Sequence, residues 1–260
     1  MSRKILIDLV SFKHNLSGIE RLDSMLQVIN SSKSKLLLFS GHSLKNFKDL
    51  QALQIGLINK KSYIIFELEN IVPLIADSDV FKPKISNCLY TVVNGKVQSM
   101  YTNQLFTESN EINNNIELAD RLLNELVTRR TIIINGLKIL VLQCGELNIL
   151  KNNQNDANSV QFRLEQNDSL LKRFDDLLND TDVVLNPIHT PMGNQGKMEQ
   201  RRIFLSDNNR YYFSVSNSKM NSDDLTLKSM QYAFHKGKPL ESVGDTIESQ
   251  NFIVSTFLIK

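Results

Sequence analysis

Apolar and polar positions along the chain follow two periods in turn. The run KILIDLVSF at 4–12 reads as a strand. It is followed by LSGIERLDSMLQVINSS, where Ile19, Leu22, Met25, Leu26 and Ile29 share one face of a helix. The cycle then repeats, with KLLLFSG (35–41) as a buried strand, LKNFKDLQALQIGLINK as a helix and SYIIFELEN (62–70) as a further strand. Strand alternating with helix predicts a layered α/β fold.

The pattern changes at NCLYTVVNGKVQSMY (87–101), where Asn94-Gly95 separates two runs of β-forming residues, as the positive φ angles of a tight hairpin require. RTIIINGLKILVLQC (130–144) repeats the device at Asn135-Gly136, and a third hairpin is expected around His235-Lys236-Gly237. NFIVSTFLIK closes the chain as a strand. Helices are expected at 113–130, 167–180 and 196–209, with strands at DVVLNPI and YYFSVSN. Hairpins set among strand-helix units imply mixed rather than purely parallel sheets. The polar stretch 150–168 reads as a surface loop, MGNQGK (192–197) as a turn into a helix, and residues 1–260 as one domain.

Composition narrows the function classes. Thirty basic against 28 acidic residues give a net charge of +2, which supplies no field argument for nucleic acid or an anionic membrane. Two cysteines make no disulfide framework, no leader pattern opens the chain and no apolar run approaches a membrane span. These features lead us to expect a soluble, cytoplasmic protein. His14, His42, His189 and His235 lack the spacing of a metal site, so neither a metal nor a cofactor is expected. The pairs Arg129-Arg130 and Arg201-Arg202 read as solvated helix faces.

The order of pieces from about residue 4 to 260 resembles the nitrilase, or carbon-nitrogen hydrolase, superfamily. The segments that carry the resemblance are YTVVNGKVQSMYTNQLF, INGLKILVLQCGE, DVVLNPIHTP and SDNNRYYFSVSN, the last supplying Asn209 and Asn217, and the closing YAFHKGKPLES and NFIVSTFLIK. The resemblance implies a four-layer αββα sandwich and homodimers. It also implies a glutamate base, a lysine that stabilises the oxyanion, and a cysteine nucleophile. Cys144, before Gly145 and Glu146, stands at the nucleophile position. Gly41 stands where the glutamate belongs and Thr102 where the lysine belongs, while Glu111 corresponds to a further family glutamate.

His42 is a candidate base for Cys144, since imidazole activates cysteine elsewhere; the alternative is that it leads into the next helix with Ser43 as N-cap. His189 lies at a strand end that the resemblance places near the cleft, or is a packing histidine. Cys144 itself has the alternative of a small buried hydrophobe. Two functional readings follow. One is a degenerate protein inactive on simple amides and nitriles, serving as a binding, scaffold or regulatory module for a protein partner or an amide-like ligand. The other is a cysteine hydrolase of C–N bonds with a rebuilt base such as His42.

Overall fold

The computed structural model describes residues 4–72, 84–153, 156, 159–191, 195–220 and 227–260. Chain order runs β1 (Ile5–Phe12), α1 (Gly18–Ser31), β2 (Leu36–Phe39), α2 (Phe47–Gly56), β3 (Tyr63–Val72), β4 (Lys84–Val93) and β5 (Lys96–Asn103). It continues with α3 (Ser109–Ile112), α4 (Ile116–Thr128), β6 (Thr131–Ile134), β7 (Leu137–Val141), a 3-10 turn at Cys144–Ile149, β8 (Leu150–Asn152) and β9 (Val160–Phe162). The last part comprises α5 (Asp168–Asn179), β10 (Val183–Pro187), α6 (Gln195–Leu205), β11 (Tyr211–Val215) and α7 (Leu227–Met230). β12 (Gln231–His235), β13 (Lys238–Pro239), β14 (Ile247–Glu248) and β15 (Phe252–Ile259) end the chain.

Two mixed sheets carry the architecture, one ordered β14-β15-β1-β2-β3-β4-β5 and the other β13-β12-β11-β10-β7-β6. Their centres are parallel, β1 to β2 to β3 in the first and β7 to β10 to β11 in the second. The period-2 alternation of each strand decides the layering. Ile5, Ile7 and Leu9 of β1 join Leu36 and Leu38 of β2 in a core shared with Ile139, Val141, Val183, Leu185 and Phe213 of the second sheet. The opposite faces pack outward: Val10, Phe12, Leu37 and Phe39 meet Met25, Val28 and Ile29 of α1 and Leu53 of α2. On the other side Leu140, Val184 and Tyr212 meet Leu122, Leu126, Phe174 and Leu205 of α4, α5 and α6. The result is an αββα sandwich with three apolar layers.

The expected hairpins form, with Asn94, Asn135 and Lys236 at φ 53° and glycines at φ 73°, 78° and 69° after them, the backbone that I′ turns demand. Some local expectations are corrected. The stretch 150–168 contains the small β8-β9 ladder, because Leu150 and Phe162 are buried and pair with each other. Ile19 is 73% exposed and leaves the α1 stripe. Arg130, Arg201 and Arg202 are buried rather than solvated, with their guanidinium groups bonded inside the protein. Residues 192–194 of MGNQGK lie outside the described residues. No helix among the described residues is long and apolar enough to cross a membrane.

Candidate active site

The parallel strands of both sheets end on the same side of the sandwich, and the segments that leave them carry the polar residues. Gly41 and His42 follow β2, Cys144 follows β7, His189 follows β10 and Asn217 follows β11. β3 contributes Glu67 from within the strand, on the face it shares with Ile65 toward the other sheet, and Asn87 comes from the neighbouring β4. Asn217 ties the two histidine segments together: its Nδ2 donates to Gly41 O and to His189 O, each at 2.8 Å. Its Oδ1 accepts from Ser40 Oγ and from the buried Arg21.

His189 is the hub. Its Nε2 lies 2.8 Å from Oε2 of the fully buried Glu67, and the ring stands near enough to Cys144 for the sulfur to favour its charged form. Burial works against charge on His189, but the Glu67 carboxylate, the Cys144 sulfur and the hydrogen bond to Glu67 outweigh it and push the imidazole up to about 11. Burial also favours the protonated form of Glu67, yet the charge of His189 and its hydrogen bond hold the carboxyl below its ordinary value. Gln143, the residue before the cysteine, donates from Nε2 to Glu67 Oε1 at 2.9 Å and fixes the other oxygen. Cys144, His189 and Glu67 therefore line up as thiol, imidazole and carboxylate, with Cys144 and His189 only partly buried.

His42 faces elsewhere. Its ring stacks on His189 with centroids 3.7 Å apart, and its Nε2 lies 2.7 Å from Asn87 Oδ1. Asn87 Nδ2 donates to Gln104 Oε1, so its Oδ1 is the acceptor for His42 Nε2–H. Burial, then the charge of His189, lowers His42 to about 4, which keeps it neutral beside the imidazolium. Its backbone sits at φ 57°, the left-handed region that a non-glycine residue rarely takes. Ser43 does not cap α2. Asn46 does, accepting from Lys48 N and Asp49 N, while Ser43 Oγ bonds back to Ser40 O.

Gly41 is a position of close approach. A Cβ there would lie 2.1 Å from His189 Cδ2 and 2.9 Å from Glu67 Oε2, so the space of a side chain at 41 is taken by this imidazole and this carboxylate. Thr102 lies beside a cation, since Arg130 Nε donates to Thr102 Oγ1 at 2.7 Å. Arg130 is itself fully buried and ion-paired with Glu146, which also accepts from Leu105 N and Gln143 N. That pair fastens the turn after Cys144 to the end of β5. Glu111 is exposed and serves its own turn, accepting from Thr107 N and Glu108 N.

The sequence reasoning missed Glu67, Gln143, Asn87 and Arg130. Glu67 did leave a signal, because in SYIIFELEN it alternates in phase with Ile65 and so falls on a core face. His42, Glu67 and His189 also each offer a ligand atom within 4.8 Å of one another, so the fold assembles a metal-competent group that linear spacing hides.

No protein-family model and no curated sequence matches the chain. Solved structures do. A carbon-nitrogen hydrolase from Helicobacter pylori G27 superposes with a TM-score of 0.56 at 8% identity, over 98% of this chain and 89% of that one. Nit3 of Saccharomyces cerevisiae, a member of branch 10 of the nitrilase superfamily, gives 0.53 at 12% identity, over 98% and 90%. A glutamine-dependent NAD(+) synthetase from Cytophaga hutchinsonii gives 0.52 at 12% identity, and there the chain spans 43% of the longer protein. The chain has the fold of the nitrilase, or carbon-nitrogen hydrolase, superfamily, at sequence identities that speak for the fold alone.

Proposed function

We propose that this protein is a divergent nitrilase-fold hydrolase that cleaves the C–N bond of an amide-like small molecule, with Cys144 as nucleophile, His189 as its acid–base partner and Glu67 as the group that orients His189. The observation that carries the reading is the Glu67–His189–Cys144 chain. The imidazolium is the counter-ion a thiolate nucleophile needs. In the first half-reaction the sulfur would add to the amide carbon, and collapse of the tetrahedral intermediate would break the C–N bond as His189 gives its proton to the departing nitrogen. In the second, His189 would take a proton from water as its oxygen attacks the thioester, releasing the carboxylic acid and restoring the thiolate beside the imidazolium. Glu67 stays ionised throughout and holds the ring. The first N–H groups of the turn at Cys144 have no partner within that turn and are the candidate oxyanion donors.

The chemistry needs no cofactor, and a cytoplasmic homodimer is its expected setting. The relic reading, in which the fold serves as a binding or regulatory module, draws on one specific observation: the cation nearest Thr102 is neutralised by Glu146, leaving no unpaired charge to replace the family lysine. Assaying amine or ammonia release from a panel of short amides separates the two. Turnover that Cys144→Ala abolishes supports the hydrolase, and a wild-type protein inert across the panel supports the relic.

A further inference from the structure

A cavity of about 710 Å³ opens between α3, the end of the 3-10 turn, the β8-β9 ladder and the start of α6. None of the residues of the Cys144 chain lines it. Its charged lining is of one sign, Lys151, Arg163, Lys197 and Arg201, in a chain whose 30 basic and 28 acidic residues are otherwise balanced; Lys151 is paired with Glu165 at 2.8 Å, so the arginines carry the argument. The remaining lining is made of amide and hydroxyl side chains, Asn148 and Asn152 among them.

The two arginines make this more than a basic patch. Arg201 is 9% exposed, and among the described residues its guanidinium bonds neutral oxygens, Leu147 O at 3.2 Å, Asn148 Oδ1 at 3.1 Å and Asn152 Oδ1 at 3.2 Å. Arg163 likewise bonds Asn148 O at 2.6 Å and Leu150 O at 3.2 Å. Among the described residues neither has a carboxylate within ion-pair distance. Burial, then the like charge of Arg163, lowers Arg201 to about 10, so the two guanidinium groups are held against their mutual repulsion. A buried cation without a counter-ion is costly, and an anion between the two would offset that cost. Guanidinium groups with flanking amide donors suit a tetrahedral oxyanion, and a cleft of this size suits a small molecule better than a polymer strand.

We propose that this cavity binds the phosphoryl group of a small phosphorylated molecule. The site touches the nucleophile's own turn, since Arg201 holds Leu147 O and Asn148 within Cys144–Ile149.

Isothermal titration of the full chain with pyrophosphate, at ionic strength matched by chloride, tests it. The expected result is one saturable site with a Kd below about 1 mM, weakened at least ~10-fold by Lys197→Gln and by Arg163→Gln, and unchanged by Cys144→Ala. Lys197 is exposed on α6, so its variant is expected to fold, which circular dichroism checks. No saturable binding, or binding that both variants retain, would overturn the proposal. Citrate binding as tightly as pyrophosphate would overturn the phosphoryl assignment, and preference for a single-stranded oligonucleotide would overturn the small-molecule one.

Discussion

Glu67 Oε2 lies 2.8 Å from His189 Nε2, a carboxylate from the first sheet meeting an imidazole from the second across the interior of the sandwich. The carboxylate reaches into the space that a side chain at Gly41 would enter. The acid group that meets this histidine therefore comes from β3, while the segment after β2 contributes Gly41 and His42.

Glu67→Gln is expected to leave the fold in place, because Gln143 and His189 can still bond an amide, but to remove the charge that keeps His189 protonated. Turnover should fall by ~10²–10⁴. The check is kcat/KM against pH for the variant and the wild type. An unchanged profile would detach Glu67 from the reaction.

Gly41→Ala should lower both stability and activity, since its Cβ would stand 2.1 Å from His189 Cδ2 and 3.0 Å from His189 N, a backbone atom that cannot swing away. Overpacking of this kind costs about 1–3 kcal/mol. Urea unfolding measures it, and a variant as stable as the parent would mean that the two loops yield easily.

Stability should peak near pH 6.5. His189 has a folded value of about 11 against an ordinary 6.5, so its contribution is complete below about 6.5 and is lost as pH rises toward 11. His42 has a folded value of about 4, so the unfolded chain binds its proton first and stability falls as pH drops from 6.5 toward 4. Glu67, lowered by His189, adds to the acid side, because protonating it costs the folded state as pH falls below the ordinary carboxylate value. Melting temperature measured across this range tests the sign. His189→Asn should flatten the alkaline limb and His42→Asn the acid limb, asparagine being a residue that tolerates the positive φ at 42.

Glu146→Gln should destabilise by about 3–5 kcal/mol, because it leaves the fully buried Arg130 without its counter-charge. Chemical unfolding gives the value directly. A loss below 1 kcal/mol would mean that water or another acceptor replaces the carboxylate.

Much of the fold was legible because it rests on local periods. Strands such as 4–12 and helices such as 167–180 follow from spacing alone, and the Asn-Gly hairpins from turn chemistry. Ile19 and the buried arginines were misread for one physical reason: spacing reports which face a residue occupies, and only the packed neighbours decide whether that face is covered. The position of Cys144 after a strand was legible, because it depends on where an apolar run ends. The site was not legible at Glu67 or at the His42–His189 stack, because residues 42, 67 and 189 meet through sheet-to-sheet packing and no linear spacing encodes it.

The central claim is that His189, and not His42, governs the reactivity of Cys144. Alkylation of Cys144 by iodoacetamide at pH 7, followed by mass spectrometry of the intact protein, tests it most directly, with Cys144→Ala accounting for any reaction at Cys88. The account predicts that His189→Asn slows modification at Cys144 by ~10²-fold, while His42→Asn changes it by no more than a few-fold. Equal alkylation rates in His189→Asn and the wild type would contradict it.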